Sequence, residues 1–447
     1  MPLAGFPIDK RSALLLDKEN MTKYSISPMS SLYELYLRHP RISTDSRRIE
    51  PDSVFFALRG ASFDGNRFAA DALEKGAAYA VVDDPSLPNT RPDKADRLIV
   101  VDDALQTLQA LAREHRRELG LPILAITGSN GKTTTKELVS RVLAEKYEVY
   151  ATRGNLNNHI GVPLTLLAMT RDVEFGIVEM GASACGEIAL LCSIAEPNYG
   201  IVTNIGRAHL EGFGGPEGVR RGKGELYDWL ARTGGRVFVP ANDPVLMSMA
   251  AERETLAAEC YPTTLADGVE HHLEGDYNRF NVAAAGAVGR YFGVDDERIR
   301  YAVGSYRPDN HRSQKIRTGQ NTLILDCYNA NPSSMQASLV NFRQEPLEGC
   351  TRKILILGDM LERGDWSDAE HRHIISLAAE IPDARILLVG PHFAKAYRSL
   401  ESRPADTTLY PSQEVLAAEL RKHPVSQALI LVKGSHSIGL ERLPDLL

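Results

Sequence analysis

The stretch that most constrains this chain runs from 123 to 147. There the apolar run Ile123-Leu124-Ala125-Ile126-Thr127 breaks into Gly128-Ser129-Asn130-Gly131-Lys132-Thr133-Thr134, and the chain continues through KELVSRVLAEKY. That order predicts a buried strand, a glycine-rich turn and a helix. Such a turn can hold a phosphate: glycines let backbone N–H groups close around it, the helix N-terminus adds partial positive charge, and a lysine reaches the outer phosphates. Thr133, directly after the lysine, is placed to ligate Mg²⁺. The loop is the short G-x-x-G-K-T form, because Ile126 stands where the longer pattern has its first glycine. An ordinary strand-to-helix turn with an exposed lysine carries the same letters; the strand before the loop and the helix after it favour the phosphate-binding reading.

With 447 residues the chain is too long for one core, and two or three domains are expected. From Ser43, SVFFALRG and AAYAVVDD read as buried strands and RFAADALEKG as a helix, followed by the strand DRLIVVDD and the helical run DALQTLQALAREHRREL. Gly120 and Pro122 then mark a boundary, so the first domain is placed at 1–120. Its residues 1–20 are taken as an extension, with Met21 as a candidate start. A second set of apolar strands (ILAITG, FGIVEMG, YGIVTNIG, GGRVFVP) separated by helices predicts a parallel sheet covered on both faces, over 121–306. After the irregular GSYRPDNHRSQ, the strands NTLILDCYN, KILILGDM, ARILLVG and ALILVKG predict a third α/β domain over 307–447.

The formal charge of −7 argues against a nucleic-acid binder, which would show a basic face, so anionic ligands must be held by local groups. Cys185, Cys192, Cys260, Cys327 and Cys350 form no C-x-x-C pair and no metal spacing, which fits reduced thiols in a reducing compartment. No apolar run approaches a membrane span in length, and the N-terminus offers only the short SALLL. A cytoplasmic protein without membrane insertion, acting as a monomer, is the expectation.

Several polar residues stand at strand ends, where parallel sheets bind ligands. Glu179 follows FGIVEM and can complete a Mg²⁺ shell begun by Thr133. His209, in TNIGRAHLEGFGG, can ligate a second metal or orient a carboxylate, although a lone histidine is more often structural. Lys223, in RRGKGELYDW, reads from spacing alone as solvated helix charge. In the third domain Arg312, Asp326, Asn329 and Asn331 gather near a boundary and a strand end; arginine suits a transferring phosphoryl group and aspartate suits ribose hydroxyls. Separately each reads as a salt-bridge or turn residue, and Asp359 and Glu362 in DMLERGD read as a charged surface loop.

Together, TDSR, GSNGKTTTKE, GNLNNHIGVPLTLL, VEMGAS, TNIGRAHLEGFG, KGELY, DCYNANPSSM, LGDMLERG and LVKGS, in this order, resemble the Mur ligase family, the ATP-dependent amide ligases of peptidoglycan precursor synthesis. The resemblance runs from Ser43 to Leu440. It implies three units: a small α/β domain for a UDP-sugar, a central P-loop ATPase domain with a parallel sheet, and a C-terminal domain of Rossmann-like character that swings in to complete the site. It implies that Ser46 and Arg47 hold the uridine end and that Asn157 and Asn158 lie on the path of the sugar pyrophosphate. Gly128 to Thr134 would bind the ATP phosphates, Asn278 and Asn281 the adenine, Asp326 the ribose side and Arg312 the terminal phosphate. Glu179 would ligate one magnesium and His209 a second. Lys223 would be carbamylated by CO₂, turning a cation into a carboxylate-like metal support, a reaction that requires the neutral amine.

The closest pattern is that of members that join D-alanyl-D-alanine to UDP-N-acetylmuramoyl-tripeptide through an acyl phosphate. The chain departs from the usual family residues at Asn66, Tyr277, the phrase PDNHRSQ and His436. Alternatives are the sibling that adds the third amino acid, whose D-N-P-R phrase is missing; a folylpolyglutamate synthase, which would lack the first domain; and the ligase that loads the first alanine, whose G-x-G-x-x-G turn is missing. A non-catalytic ATP-binding regulator and a mechanical or transport ATPase belong to other classes. Retention of Lys132, Thr133, Glu179, His209 and Lys223 together speaks against the regulator.

Overall fold

The computed structural model describes residues 28–308, 312–361 and 364–447. The extension at 1–20, Met21, part of PDNHRSQ and Glu362 lie outside the described residues. Three sheets follow one another along the chain. The first has the order β1-β2-β3-β4, from Ile42–Ser43, Val54–Phe56, Tyr79–Val82 and Leu98–Val100, all parallel. The second has the order β10-β9-β8-β5-β7-β6 and is also parallel throughout. Its strands are β5 (Ile123–Thr127), β6 (Val149–Ala151), β7 (Phe175–Glu179), β8 (Tyr199–Val202), β9 (Arg236–Pro240) and β10 (Ala257–Tyr261). The third, β11-β12-β16-β13-β14-β15, spans β11 (Gln314–Arg317), β12 (Thr322–Leu325), β13 (Arg352–Gly358), β14 (Ala384–Val389), β15 (Thr407–Tyr410) and β16 (Ala428–Lys433). It is parallel except for β11, which pairs antiparallel with β12.

Strand burial explains which elements the sequence displays. Every residue of β5, β7, β12 and β16 is buried, because helices cover both faces of a parallel sheet. The edge strands β6, β10, β11 and β15 are only partly buried and carry mixed residues, so no apolar run announces them. In β11 and β12 the hairpin turns at Gly319-Gln320, where the Thr318 N–H donates to the Asn321 carbonyl at 2.9 Å.

The helix Ala104–Leu119 joins the first two units. Its N-terminus is capped by Asp103, which accepts from the Gln106 N–H, and it stops at Gly120 in the left-handed conformation, φ 65°. Its apolar face contributes Leu108, Leu111 and Ala112 to one continuous core, which also takes in Leu32, Val54 and Val81 of the first unit and Ile123, Val178, Val202 and Val239 of the central sheet. The two core clusters of the last unit are built only from residues of that unit, such as Leu355, Leu431 and Phe393 on one face and Ile356, Val432 and Leu440 on the other.

Candidate active site

The central sheet places β5 between β7 and β8: the chain runs from β5 to β6 and β7 on one side and then crosses to β8, β9 and β10 on the other, and at such a reversal a crevice opens above the C-terminal end of β5. The phosphate loop occupies that crevice. Gly128 has φ 139°, and a Cβ there would lie 2.0 Å from the Thr203 hydroxyl oxygen, so only glycine lets this turn pass beside β8. The helix Lys132–Ala144 begins directly after it, aiming its N-terminal N–H groups into the crevice. Strand ends from β8 brace the loop: Ser129 N–H donates to Asn204 O at 3.1 Å, Asn130 N–H to Asn204 Oδ1 at 3.1 Å, and Asn204 Nδ2 to Asn130 O at 3.0 Å.

Lys132 donates its ammonium to the Gly128 carbonyl at 2.8 Å, on the rim where outer phosphates would sit. Enclosure of this ammonium, opposed by the Glu179 charge and reinforced by the nearby Arg312, pulls its pKa down to about 8. Glu179 is buried at the end of β7; its Oε2 accepts from the Thr133 hydroxyl at 3.0 Å and its Oε1 from Asn157 Nδ2 at 2.8 Å. Asn158 Oδ1 accepts from the Ile160 and Gly161 N–H groups just ahead of the helix Gly161–Leu167. Asn281 Oδ1 accepts from the Thr135 hydroxyl at 3.0 Å and Asn281 Nδ2 donates to Asn278 Oδ1 at 2.8 Å, so the start of the helix Asn278–Tyr291 is locked to the phosphate-loop helix.

The last unit closes the crevice into a cavity of about 770 Å³. Ser129, Asn130, Gly131, Lys132, Thr134, Asn157, Asn158, Glu179, His209, Asn278 and Asn281 line it from the central unit, and Arg312, Asp326, Asn329 and Asn331 from the last. Arg312 lies over the Tyr328 ring, 3.9 Å from its centroid, and the His436 ring stacks on Tyr328 at 5.6 Å. Asp326 is bound by Lys433, which is buried and lines the cavity, and by the Ser338 hydroxyl at 2.8 Å. Asn331 Nδ2 reaches across to Asn130 Oδ1 at 2.6 Å.

Lys223 stands behind the wall rather than in it. It is buried, donates to the Ala182 carbonyl at 3.0 Å and faces the Phe213 ring. Burial, then the positive charge of Lys132, lowers its pKa to about 7, unlike the solvated helix charge that its spacing suggests. Ser46 and Arg47 lie after β1, outside the cavity: the Ser46 carbonyl accepts from Lys75, and Arg47 pairs with Asp45 at 2.8 Å. Asp359 is no surface residue. It is fully buried and accepts from the His392 and Phe393 N–H groups at the start of the helix Pro391–Arg398.

The donors around Thr133 fit a hard divalent cation: one buried carboxylate, a hydroxyl beside it, and no ion-pair partner of Glu179 among the described residues. Mg²⁺ commonly takes one or two carboxylates and completes its shell with phosphate and water. Among the described residues no group of three or more His, Cys, Asp or Glu gathers as a metal cluster.

Fold and site define a phosphate-loop nucleotide-binding core, joined to one α/β unit and roofed by another. Three family descriptions match in the same succession: "Mur ligase family, catalytic domain" over 40–116, "Mur ligase middle domain" over 126–265 and "Mur ligase, glutamate ligase domain" over 311–436. The chain is 34% identical to the UDP-N-acetylmuramoyl-tripeptide--D-alanyl-D-alanine ligase of Bacillus subtilis, over 90% of this chain and 92% of that one. The crystal structure of MurF from Acinetobacter baumannii superposes with a TM-score of 0.78 at 30% identity, covering 91% of this chain and 93% of that one. The fold is shared as well with MurF ligase from Thermotoga maritima in complex with ADP, TM-score 0.77 at 24% identity, covering 92% of this chain and 97% of that one. The chain belongs to the Mur ligase family.

Proposed function

We propose that this chain is an ATP-dependent ligase that joins D-alanyl-D-alanine to the terminal carboxylate of UDP-N-acetylmuramoyl-tripeptide in peptidoglycan precursor synthesis. The observation that carries the reading is the single cavity in which the phosphate loop, the Thr133–Glu179 pair and the polar roof of the last unit converge. Similarity at 34% identity over nearly the whole chain supports the same reaction.

In this reading ATP lies along 128–134 with its outer phosphates against Lys132 and the helix N-terminus. Asn278 and Asn281 border the adenine end, and Asp326, held by Lys433 and Ser338, the ribose side. The tripeptide carboxylate oxygen attacks the γ-phosphorus, the bond to the β-phosphate oxygen breaks, and ADP and an acyl phosphate form. The dipeptide amine then attacks the acyl carbon, loses its proton, and phosphate departs as the amide closes. Lys132 and Arg312 neutralise charge on the transferring group, and the roof keeps water from the acyl phosphate.

Thr133 and Glu179 would hold one Mg²⁺, His209 a second, and these ions would offset phosphate charge. Lys223, buried and with its amine poised near neutrality, fits the carbamate assignment, in which it would support the metals from behind Ala182. Ser46 and Arg47 would hold the uridine end, Asn157 and Asn158 the pyrophosphate path, and Asn329 and Asn331 the peptide end. The units would divide at residues 120 and 306, the protein acting as a cytoplasmic monomer without nucleic acid.

The test is phosphate release from ATP and Mg²⁺ with the UDP-tripeptide, with and without D-alanyl-D-alanine, the product being weighed by mass spectrometry. Dipeptide-dependent release with the mass of the amide is expected. Release only with a UDP-dipeptide and a free diamino acid would instead assign the sibling reaction, and release with neither would leave nucleotide binding alone.

A further inference from the structure

The loop at 203–209 touches both the phosphate loop and the last unit. On one side it is laced to the phosphate loop: Gly206 N–H donates to the Ser129 hydroxyl at 2.8 Å, and that hydroxyl donates back to the Gly206 carbonyl at 3.2 Å. On the other side it meets the last unit. Arg207 N–H donates to the Ser333 hydroxyl at 2.7 Å, and the Arg207 guanidinium pairs with Glu370 at 2.5 Å. A Cβ on Gly206 would come within 2.8 Å of Ser333 Oγ and 3.3 Å of Ser129 Cβ, so the backbone is pinched between the two units at this point. The loop ends at His209, in the left-handed conformation with φ 49°.

The Arg207–Glu370 pair is asymmetric. The Glu370 side chain, on the helix Ser367–Ala379, is 2% exposed, whereas Arg207 is 49% exposed. Among the described residues the second carboxylate oxygen of Glu370 has no hydrogen-bond partner. Among the described residues Arg207 is the cation paired with this buried carboxylate, and it comes from across the junction. Arg207 is therefore well placed to sense whether the last unit is seated, and its neighbour in the chain, Gly206, is bonded to Ser129 of the phosphate loop.

We propose that Arg207 is a positioning residue that latches the last unit over the nucleotide: its pair with Glu370 ties the phosphate-loop brace and His209 to the closed roof. This rests on the ligase reading for its chemical consequence, because a poorly latched roof admits water to the acyl phosphate, which is then hydrolysed to carboxylate and phosphate without amide. The experiment compares wild type with Arg207→Ala, Arg207→Lys and Glu370→Gln. It reads phosphate released per amide formed, KM for dipeptide and for ATP, and compaction on adding ADP and Mg²⁺ by small-angle X-ray scattering.

Arg207→Ala and Glu370→Gln are expected to raise phosphate per amide by about threefold or more and KM for dipeptide by about fivefold, with KM for ATP within about twofold. Both should compact less than wild type, Arg207→Lys should recover most of the coupling, and combining Arg207→Ala with Glu370→Gln should add little. Unchanged stoichiometry and unchanged compaction in both single variants would overturn the latch. If wild type forms no amide, the ligase reading fails while the scattering comparison still decides whether the pair holds the units together.

Discussion

At the scale of single residues, the site mixes groups that the sequence displays with groups that only the fold can assemble. Lys132, Thr133 and Glu179 were legible because a glycine-rich turn between strand and helix and an acidic strand end have a recognisable order. Replacing Lys132 with Met should lower amide formation by about 10²–10³-fold while leaving the melting temperature nearly unchanged, because among the described residues its ammonium bonds to its own loop alone. Activity and thermal melting on one preparation check both halves. Lys223 looked solvated because spacing on a helix cannot reveal which side packs against Phe213 and Ala182. The Asn130–Asn331 bond, between residues 201 apart, and the Arg207–Glu370 pair leave no trace in any local pattern.

His115 offers a pH test away from the site. It is buried in the helix Ala104–Leu119, with Nε2 2.8 Å from the Met169 carbonyl and Nδ1 3.1 Å from the Tyr33 hydroxyl. Burial lowers its pKa below the ordinary 6.5, so the unfolded chain takes up the proton first as the medium turns acid. Its contribution to stability is complete above about pH 6.5 and is lost as pH falls toward the folded value, by at most about 1.4 kcal/mol per pH unit. His115→Gln should flatten the fall in melting temperature between about pH 7 and about pH 5; an equally steep fall in the variant would refute this assignment.

At the scale of elements, legibility follows burial. Strands with both faces covered spell continuous apolar runs, and each of β5, β7, β8, β9, β12, β13, β14 and β16 lies where such a run predicts it. The edge strands escape because most of their residues are only partly buried and their letters mimic loops; β10, AAECY, alternates in exposure and carries a glutamate. The turn after β5 is the element on which most depends. Gly128→Ala would drive a Cβ against Thr203 and force an unfavourable φ, at a cost of about 2–4 kcal/mol or a displaced loop. Nucleotide binding by calorimetry should weaken more than tenfold, whereas Gly154→Ala, with nothing within 4 Å of its Cβ, serves as the comparison for left-handed strain alone.

At the scale of the whole molecule, the two junctions differ in kind. The first and central units share one apolar core through the helix Ala104–Leu119, while the last unit keeps its core clusters to itself and meets the site through polar contacts. Differential scanning calorimetry should therefore show the last unit melting separately from a joint transition of the other two, and ADP with Mg²⁺ should draw the two transitions together. A single transition without nucleotide would contradict this division.

The shared core of the first two units would also make the protein a gauge. If the uridine end is gripped near Ser46 and Arg47, a sheet welded to the phosphate loop fixes how far a tethered peptide must extend before its last carboxylate meets the γ-phosphate. Length would then be measured by the scaffold and not by the side chain at the third position. A UDP-dipeptide should bind yet leave its carboxylate short of the reacting phosphorus, and titration of such a shortened nucleotide, showing affinity without phosphate release, would expose the ruler at work.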